Sequence, residues 1–208
     1  MDIPSFDSLI FDMDGTLWDA VDSYCLIWDE AYRRMGIDRK VSRDELLKYM
    51  GMSINEIVAR IAPTGLDIKN FYATLGEVDD ELMPVLGGRL YPGVKEFLPL
   101  LAQRYRLFMV SNCGARGLEY FMDYTGLREY FTDTLSFGQT FLNKENNIET
   151  LCRKYNLLKP AYIGDTQGDC NSAHAAGATM IHVTYGFGTC RDAEYNADSF
   201  NDLASILL

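Results

Sequence analysis

Apolar and polar positions divide the chain into three regimes. The first is a continuous apolar run, Leu9-Ile10-Phe11, that meets Asp12-Met13-Asp14 and breaks at Gly15. Such a run predicts a buried strand over residues 6–12 that empties into a loop. From about Asp19 to Gly87 the period becomes helical, with Val21, Cys25, Trp28 and Tyr32 on one face. Ser42-x-x-Glu45 and Ser53-x-x-Glu56 read as capping boxes that open helices. Pro63, Gly65 and Gly76 are expected to separate further helical pieces, and no strand signal precedes Gly87-Gly88. From Pro92-Gly93 onward, helical stretches alternate with short apolar runs. Helices are predicted to about Arg104, from about Ala115, from about Glu145 to Tyr155, up to Gly177, and over Leu203–Leu207. Strands are predicted at Leu107–Val110, at Ala161–Ile163 and at Met180–Val183, with a further short stretch near Leu135.

Strands separated by helices imply right-handed crossovers and a parallel sheet covered on both faces. The expected fold is therefore α/β: a Rossmann-like parallel sheet flanked by helices, with an all-helical insert after the first strand. The boundaries place residues 1–17 and 89–208 in the sheet-bearing core and 18–88 in the insert. Sheets of this kind hold ligands at the carboxyl ends of their strands. Asp12, Ser111 and Asp165 all follow predicted strands, so the fold would bring them together.

Composition narrows the function. The chain has 208 residues, 48% of them hydrophobic, as expected of an ordinary globular protein. A net charge of -11 argues against a nucleic-acid or anionic-membrane surface. No apolar run approaches a membrane span, and Asp2 precedes no basic-then-apolar leader. Five cysteines at irregular spacing suggest free thiols in a reducing compartment, hence a cytoplasmic protein.

The acidic residues carry the chemistry. Period 2 puts Asp12 and Asp14 on one side of a strand end, where paired carboxylates repel unless a cation sits between them or their titrations are pushed apart. Gly164-Asp165-Thr166-Gln167-Gly168-Asp169 places a third carboxylate directly after a strand and a fourth at a helix start. An Asp in the first turn of a helix is commonly a cap, which explains Asp169 in part but not Asp165. Carboxylates gathered on one sheet edge suit a hard divalent cation, and Mg²⁺ keeps room for water and phosphate oxygens. Ser111-Asn112 before Gly114 offers a hydroxyl and backbone N–H groups to an anion. Other chemistries lack their motifs. No Cys is followed by Arg at a phosphatase-loop spacing. There is no Gly-x-x-x-x-Gly-Lys-Ser/Thr and no Gly-x-Ser-x-Gly. Gly186-Phe187-Gly188 lacks the rest of a dinucleotide loop, and His174 and His182 read as a helix-surface residue and a strand residue.

In order and in kind, these residues resemble the haloacid dehalogenase superfamily, in its phosphatase branch, and are most similar to phosphoglycolate-phosphatase-like proteins. Asp12-Met13-Asp14-Gly15-Thr16-Leu17 matches the first motif, Ser111-Asn112 the second, Lys144 the third and Gly164 to Asp169 the fourth. Relatives usually place Pro after the motif lysine, whereas Glu145 follows Lys144; Lys154 and Lys159 are the alternatives. The resemblance implies that the helical insert is a cap domain. It implies Asp12 as nucleophile, Asp14 as general acid and base, and Mg²⁺ held by Asp12, the Asp14 carbonyl and Asp165, with Asp169 behind them. Ser111, Asn112, Thr16 and Lys144 would hold phosphate oxygens. In the cap, Trp18, Met52 and Arg60 are the candidates for selecting substrate. The implied function is hydrolysis of a small phosphorylated metabolite by a monomer or weak dimer. A sugar phosphomutase or a pyrophosphatase on the same fold is the alternative. A dehalogenase fits less well because Asp14 is present, and a non-catalytic phosphate-binding module because the acids are complete.

Overall fold

A computed structural model describes residues 5–208; residues 1–4, Asp2 among them, lie outside the described residues. In chain order the elements are β1 (Ser8–Phe11), β2 (Trp18–Asp19), α1 (Val21–Arg34), α2 (Arg43–Leu47), α3 (Ile54–Ile61), α4 (Ile68–Leu86) and β3 (Arg89–Leu90). They continue with α5 (Val94–Arg104), β4 (Arg106–Ser111), α6 (Gly117–Thr125), β5 (Phe131–Ser136), α7 (Phe137–Thr140) and α8 (Lys144–Tyr155). Last come β6 (Pro160–Gly164), α9 (Gln167–Ala175), β7 (Thr179–Val183), β8 (Tyr195–Ala197) and α10 (Phe200–Leu207).

Six strands form one parallel sheet in the order β5-β4-β1-β6-β7-β8. The chain builds outward from β1 to one edge, then returns and builds to the other. That is the strand order of a Rossmann sheet, and it reverses between β1 and β6. The register there aligns Phe11 with Ile163, and the Asp12 N–H donates to the Ile163 carbonyl at 2.8 Å. Asp12 and Asp165 therefore leave adjacent strands at the switch point.

Alternation along β1 explains why the run is apolar on both faces. Leu9 and Phe11 join a core with Leu98, Leu101 and Leu203 of α5 and α10, while Ile10 packs with Ile148, Leu151 and Ala173 of α8 and α9. A strand buried on both sides has no polar face, so its sequence reads as continuous rather than alternating.

Helices α1 to α4 follow one another between β2 and β3, which pair antiparallel, Trp18 with Leu90 and Asp19 with Arg89. The chain thus leaves and re-enters the sheet-bearing part through one short ribbon. Within the helices, Phe71 stacks on Tyr32 at 5.0 Å between ring centroids and meets Trp28 at 5.2 Å. Ser53 and Glu56 form the expected capping box, Glu56 accepting the Ser53 N–H at 3.0 Å; Ser42 caps the Glu45 N–H at 3.2 Å, but the Glu45 carboxylate pairs with Arg39 instead of closing a second box. Gly76 separates nothing: it lies inside α4, where burial of Phe71, Leu75 and Val78 outweighs a glycine's penalty of about 1 kcal/mol. The ribbon, α7 and edge strand β8 had no clear sequence signal.

Candidate active site

The site assembles from four strand ends. β1 delivers Asp12, which is 2% exposed, and Asp14 follows in the loop. Gly15 shapes that loop. Its φ of +82° is left-handed, and a Cβ there would run into the Asp165 carboxylate. β4 ends at Ser111, β6 delivers Asp165, and the loop after β7 folds Phe187 back so that its N–H donates to Asp165 Oδ2 at 2.7 Å.

Lys144, the first residue of α8, points into this edge. Its Nζ lies 3.0 Å from Asp12 Oδ1 and 2.5 Å from Asp169 Oδ1, and it is 4% exposed. The alternatives lie elsewhere: Lys154 pairs with Asp133 on the surface at 2.8 Å, and Lys159 is exposed. Asp169 is both a cap and a partner. Its Oδ2 accepts from the Thr166 N–H at 3.0 Å and hydroxyl at 2.7 Å, while Oδ1 takes Lys144. Both oxygens are engaged, so Asp169 positions its neighbours.

Asp14 Oδ1 accepts from the Trp18 indole at 3.0 Å and the Tyr24 hydroxyl at 3.2 Å. Burial, with the charge of Asp12 beside it, pushes the Asp14 carboxyl up to about 7. Burial also raises Asp12, against the pull of Lys144. Asp165 is raised by burial and by its neighbours Asp169 and Asp12. Burial works against the charge of Asp169, but Lys144 and Thr166 hold its carboxyl low. The Asp12 and Asp14 carboxyls are thus both pushed up to about 7, and Lys144, 3.0 Å from Asp12, favours the anion on that member of the pair.

Carboxylate oxygens of Asp12, Asp165 and Asp169 lie within 4.8 Å of one another, and Asp165 Oδ1 is buried without a hydrogen-bond partner among the described residues. An orphaned, desolvated carboxylate oxygen among hard oxygen donors fits a divalent cation such as Mg²⁺. Asp12 and Asp165 have donors to spare for it; Asp169 does not.

Several expected site residues stand differently. Thr16 is fully buried, its Oγ1 has no partner, and it does not line the cavity above Asp12; its carbonyl takes the Tyr185 hydroxyl at 2.8 Å. Asn112 lines the cavity and also reaches across it, donating Nδ2 to the Gly51 carbonyl at 2.8 Å. Trp18 and Met52 line the cavity, Trp18 also packing edge-on to Phe121. Arg60 does not: it is exposed on α3, bonded to the Glu56 carbonyl, because its helical phase turns it outward while Ile57 and Ile61 turn in. Ser111 keeps its place at the cavity floor, its Oγ accepting the Cys113 N–H at 3.3 Å.

Three contributors had no place in the site expected from sequence, although the sequence marks His182 as a strand residue and Gly186 as part of an incomplete loop motif. Tyr24 shares the inward face of α1 with Trp28 and reaches Asp14. His182 holds the Asp165 carbonyl with Nε2 at 3.2 Å. Gly186 allows the loop to close, since a Cβ would strike Asp165 and the Gly15 carbonyl. The available signal was the glycine pair Gly186 and Gly188 shortly after β7, on the carboxyl edge where sheets of this kind hold ligands.

Comparison with known proteins agrees with the geometry. A phosphoglycolate phosphatase of Vibrio vulnificus is 27% identical over 219 aligned positions, covering 96% of this chain and 95% of its own. The crystal structure of a predicted phosphoglycolate phosphatase from Haemophilus somnus superposes with a TM-score of 0.85 at 25% identity, covering 98% of each chain. CbbY of Rhodobacter sphaeroides, solved with phosphate, shares the fold at 0.82 and 20% identity over 96% of each chain. The family model for haloacid dehalogenase-like hydrolases matches residues 9–183, from the first strand through β7, and the chain belongs to that family.

Proposed function

We propose that this protein is a Mg²⁺-dependent phosphatase that hydrolyses a small-molecule phosphate monoester through an aspartyl-phosphate on Asp12. In this reading residues 18–88 form the cap over a core of 1–17 and 89–208. The observation that carries it is the pairing at the cavity floor: Asp12 tethered by Lys144, and Asp14 beside it, fixed by Trp18 and Tyr24 with its carboxyl pushed up to about 7. The relatives' names support a phosphatase and make phosphoglycolate one substrate to assay.

The steps follow from the side chains. An Asp12 carboxylate oxygen attacks phosphorus while the bond to the leaving oxygen breaks. Asp14, protonated by its surroundings, gives its proton to that oxygen. Asp14 then takes a proton from water, which attacks the same phosphorus and frees Asp12 and inorganic phosphate. Trp18 and Tyr24 fix the Asp14 carboxyl, and Lys144 holds Asp12 and opposes charge on the phosphoryl oxygens. Asp12, Asp165 and the Asp14 carbonyl would hold Mg²⁺, which when bound would supply further positive charge against nucleophile and phosphate.

The test is turnover of an aryl phosphate with and without Mg²⁺, alongside intact-protein mass during turnover. A phosphoenzyme in the wild type, absent together with turnover in Asp12→Asn, is expected. Turnover retained by Asp12→Asn removes the covalent route.

A further inference from the structure

The cavity above Asp12 is about 260 Å³, with most of its charged groups gathered at one end. Its floor holds Asp12, Asp14, Lys144 and Ser111; its walls are Ile27, Trp28, Met52, Ile57, Tyr72 and Leu75 of the helical segment. Among the described residues that line it, Lys144 is the only lysine or arginine, and Asp12 and Asp169 already hold it. One wall residue carries charge, and it is negative: Asp79 of α4. No hydrogen bond from a described residue reaches its carboxyl. Arg116 is exposed and paired with Asp80 at 3.1 Å. The hydroxyls of Tyr24 and Tyr120 are given to Asp14 and Asp80.

We infer that the organic part of the substrate is uncharged and mainly apolar, of benzyl or branched-alkyl size, and that Asp79 excludes a second anionic group. The inference rests on the phosphatase reading and sharpens it. A phosphomonoester that carries a carboxylate, phosphoglycolate included, would set that carboxylate among apolar walls beside Asp79 with no cation to meet it. Such a group is costly to desolvate unpaired. An apolar group, by contrast, gains from the burial that these walls supply. The space also exceeds the need of a two-carbon acid: at ~30 Å³ of liquid volume per molecule it holds roughly nine waters.

Benzyl phosphate and phosphoglycolate both leave as primary alkoxides, so their comparison isolates the organic group from leaving-group reactivity. With Mg²⁺ at pH 7.5, kcat/KM for benzyl phosphate is expected to exceed that for phosphoglycolate by tenfold or more. Asp79→Asn is expected to narrow that ratio at least threefold by raising the phosphoglycolate value. A binding readout needs no turnover. The chain's two tryptophans, Trp18 and Trp28, both line the cavity, so their fluorescence reports its occupancy. Benzylphosphonate should titrate it at concentrations at least tenfold below phosphonoacetate. Phosphoglycolate turned over as well as benzyl phosphate or better, or phosphonoacetate bound more tightly, overturns the inference and leaves the phosphatase reading intact. No turnover of an aryl phosphate or of either ester overturns the phosphatase reading itself.

Discussion

Replacing Lys144 with Met tests whether the acidic edge depends on one buried cation. The methionine keeps most of the stem volume and removes the ammonium. In the native protein Nζ sits 2.5 Å from Asp169 and 3.0 Å from Asp12, with all three side chains under 5% exposed. At an effective dielectric of about 20, one charge pair at 3 Å is worth about 5.5 kcal/mol, most of which offsets the desolvation of the charges themselves. Deleting the cation leaves two desolvated carboxyls unmatched, for which a loss of about 3–5 kcal/mol is typical. For a chain of this size that is a fall in Tm of roughly 6–20 °C. The assay is thermal unfolding in chelator at pH 7.5, repeated at pH 5.5, where protonation of the stranded acids should recover part of the loss. Adding Asp169→Asn to the variant should recover stability as well, because one stranded carboxyl is removed. Activity should not return, since the charge beside Asp12 is still missing, and a drop of about 10²–10³ in kcat is expected from lost electrostatic stabilisation. A single variant that melts within 2 °C of wild type (~0.5–1 kcal/mol here) and keeps activity within tenfold would refute the argument.

Three further outcomes follow from the same geometry. Asp14→Asn should slow an alkyl phosphate by about 10²–10⁴ but an activated aryl phosphate less, with phosphoenzyme accumulating in the intact-mass spectrum; equal losses and no phosphoenzyme would confine Asp14 to shaping the loop. Asp12 and Asp14, raised to about 7 by burial, keep protons that the unfolded chain releases near pH 4, so the metal-free protein should lose stability as pH rises from about 4 through 7. Melting in chelator at pH 6 and pH 8 checks the sign, and a higher Tm at pH 8 would reverse it; Mg²⁺ should flatten the slope. Gly186→Ala should raise the Mg²⁺ concentration needed for half-maximal activity at least tenfold, because the new methyl displaces Asp165, and an unchanged Mg²⁺ requirement counts against Asp165 as a ligand.

Much of the fold was legible because a parallel sheet buried on both faces writes itself as apolar runs. β1, β4, β6 and β7 lie where those runs are, within a residue or two of the expected ends. What escaped depends on contacts between distant segments. β2 and β3 are two residues each and exist only because the chain leaves and returns at one place. β8, Tyr195–Ala197, is an edge strand with two exposed residues, so it has no apolar signature. Gly76 misled because a helix is held by its packed face as well as by its propensity. Of the three candidate lysines the structure buries Lys144 against Asp12 and Asp169, because those carboxylates give its ammonium partners that Lys154 and Lys159 lack on that edge.

The two ends of the cavity were unequally legible, and the reason is mechanical. The acidic groups hang from strand ends, where register fixes one residue against another. Asp12 lies beside β6 because its N–H bonds to Ile163, and a short motif therefore carries the geometry with it. The organic end is lined by side chains from α1, α2, α3 and α4, whose phases are locally clear but whose mutual placement is set by packing around Phe71. That packing turns Met52 inward and Arg60 outward from neighbouring turns, and brings Asp79 to a wall it shares with Trp28, fifty-one positions earlier. Chemistry on this fold can be read from a handful of motif residues, whereas selectivity is a property of how four amphipathic helices meet. An apolar wall with one unpaired carboxylate becomes visible only when those helices are assembled, which is why substrate choice is better sought in that wall than in the motif acids beneath it.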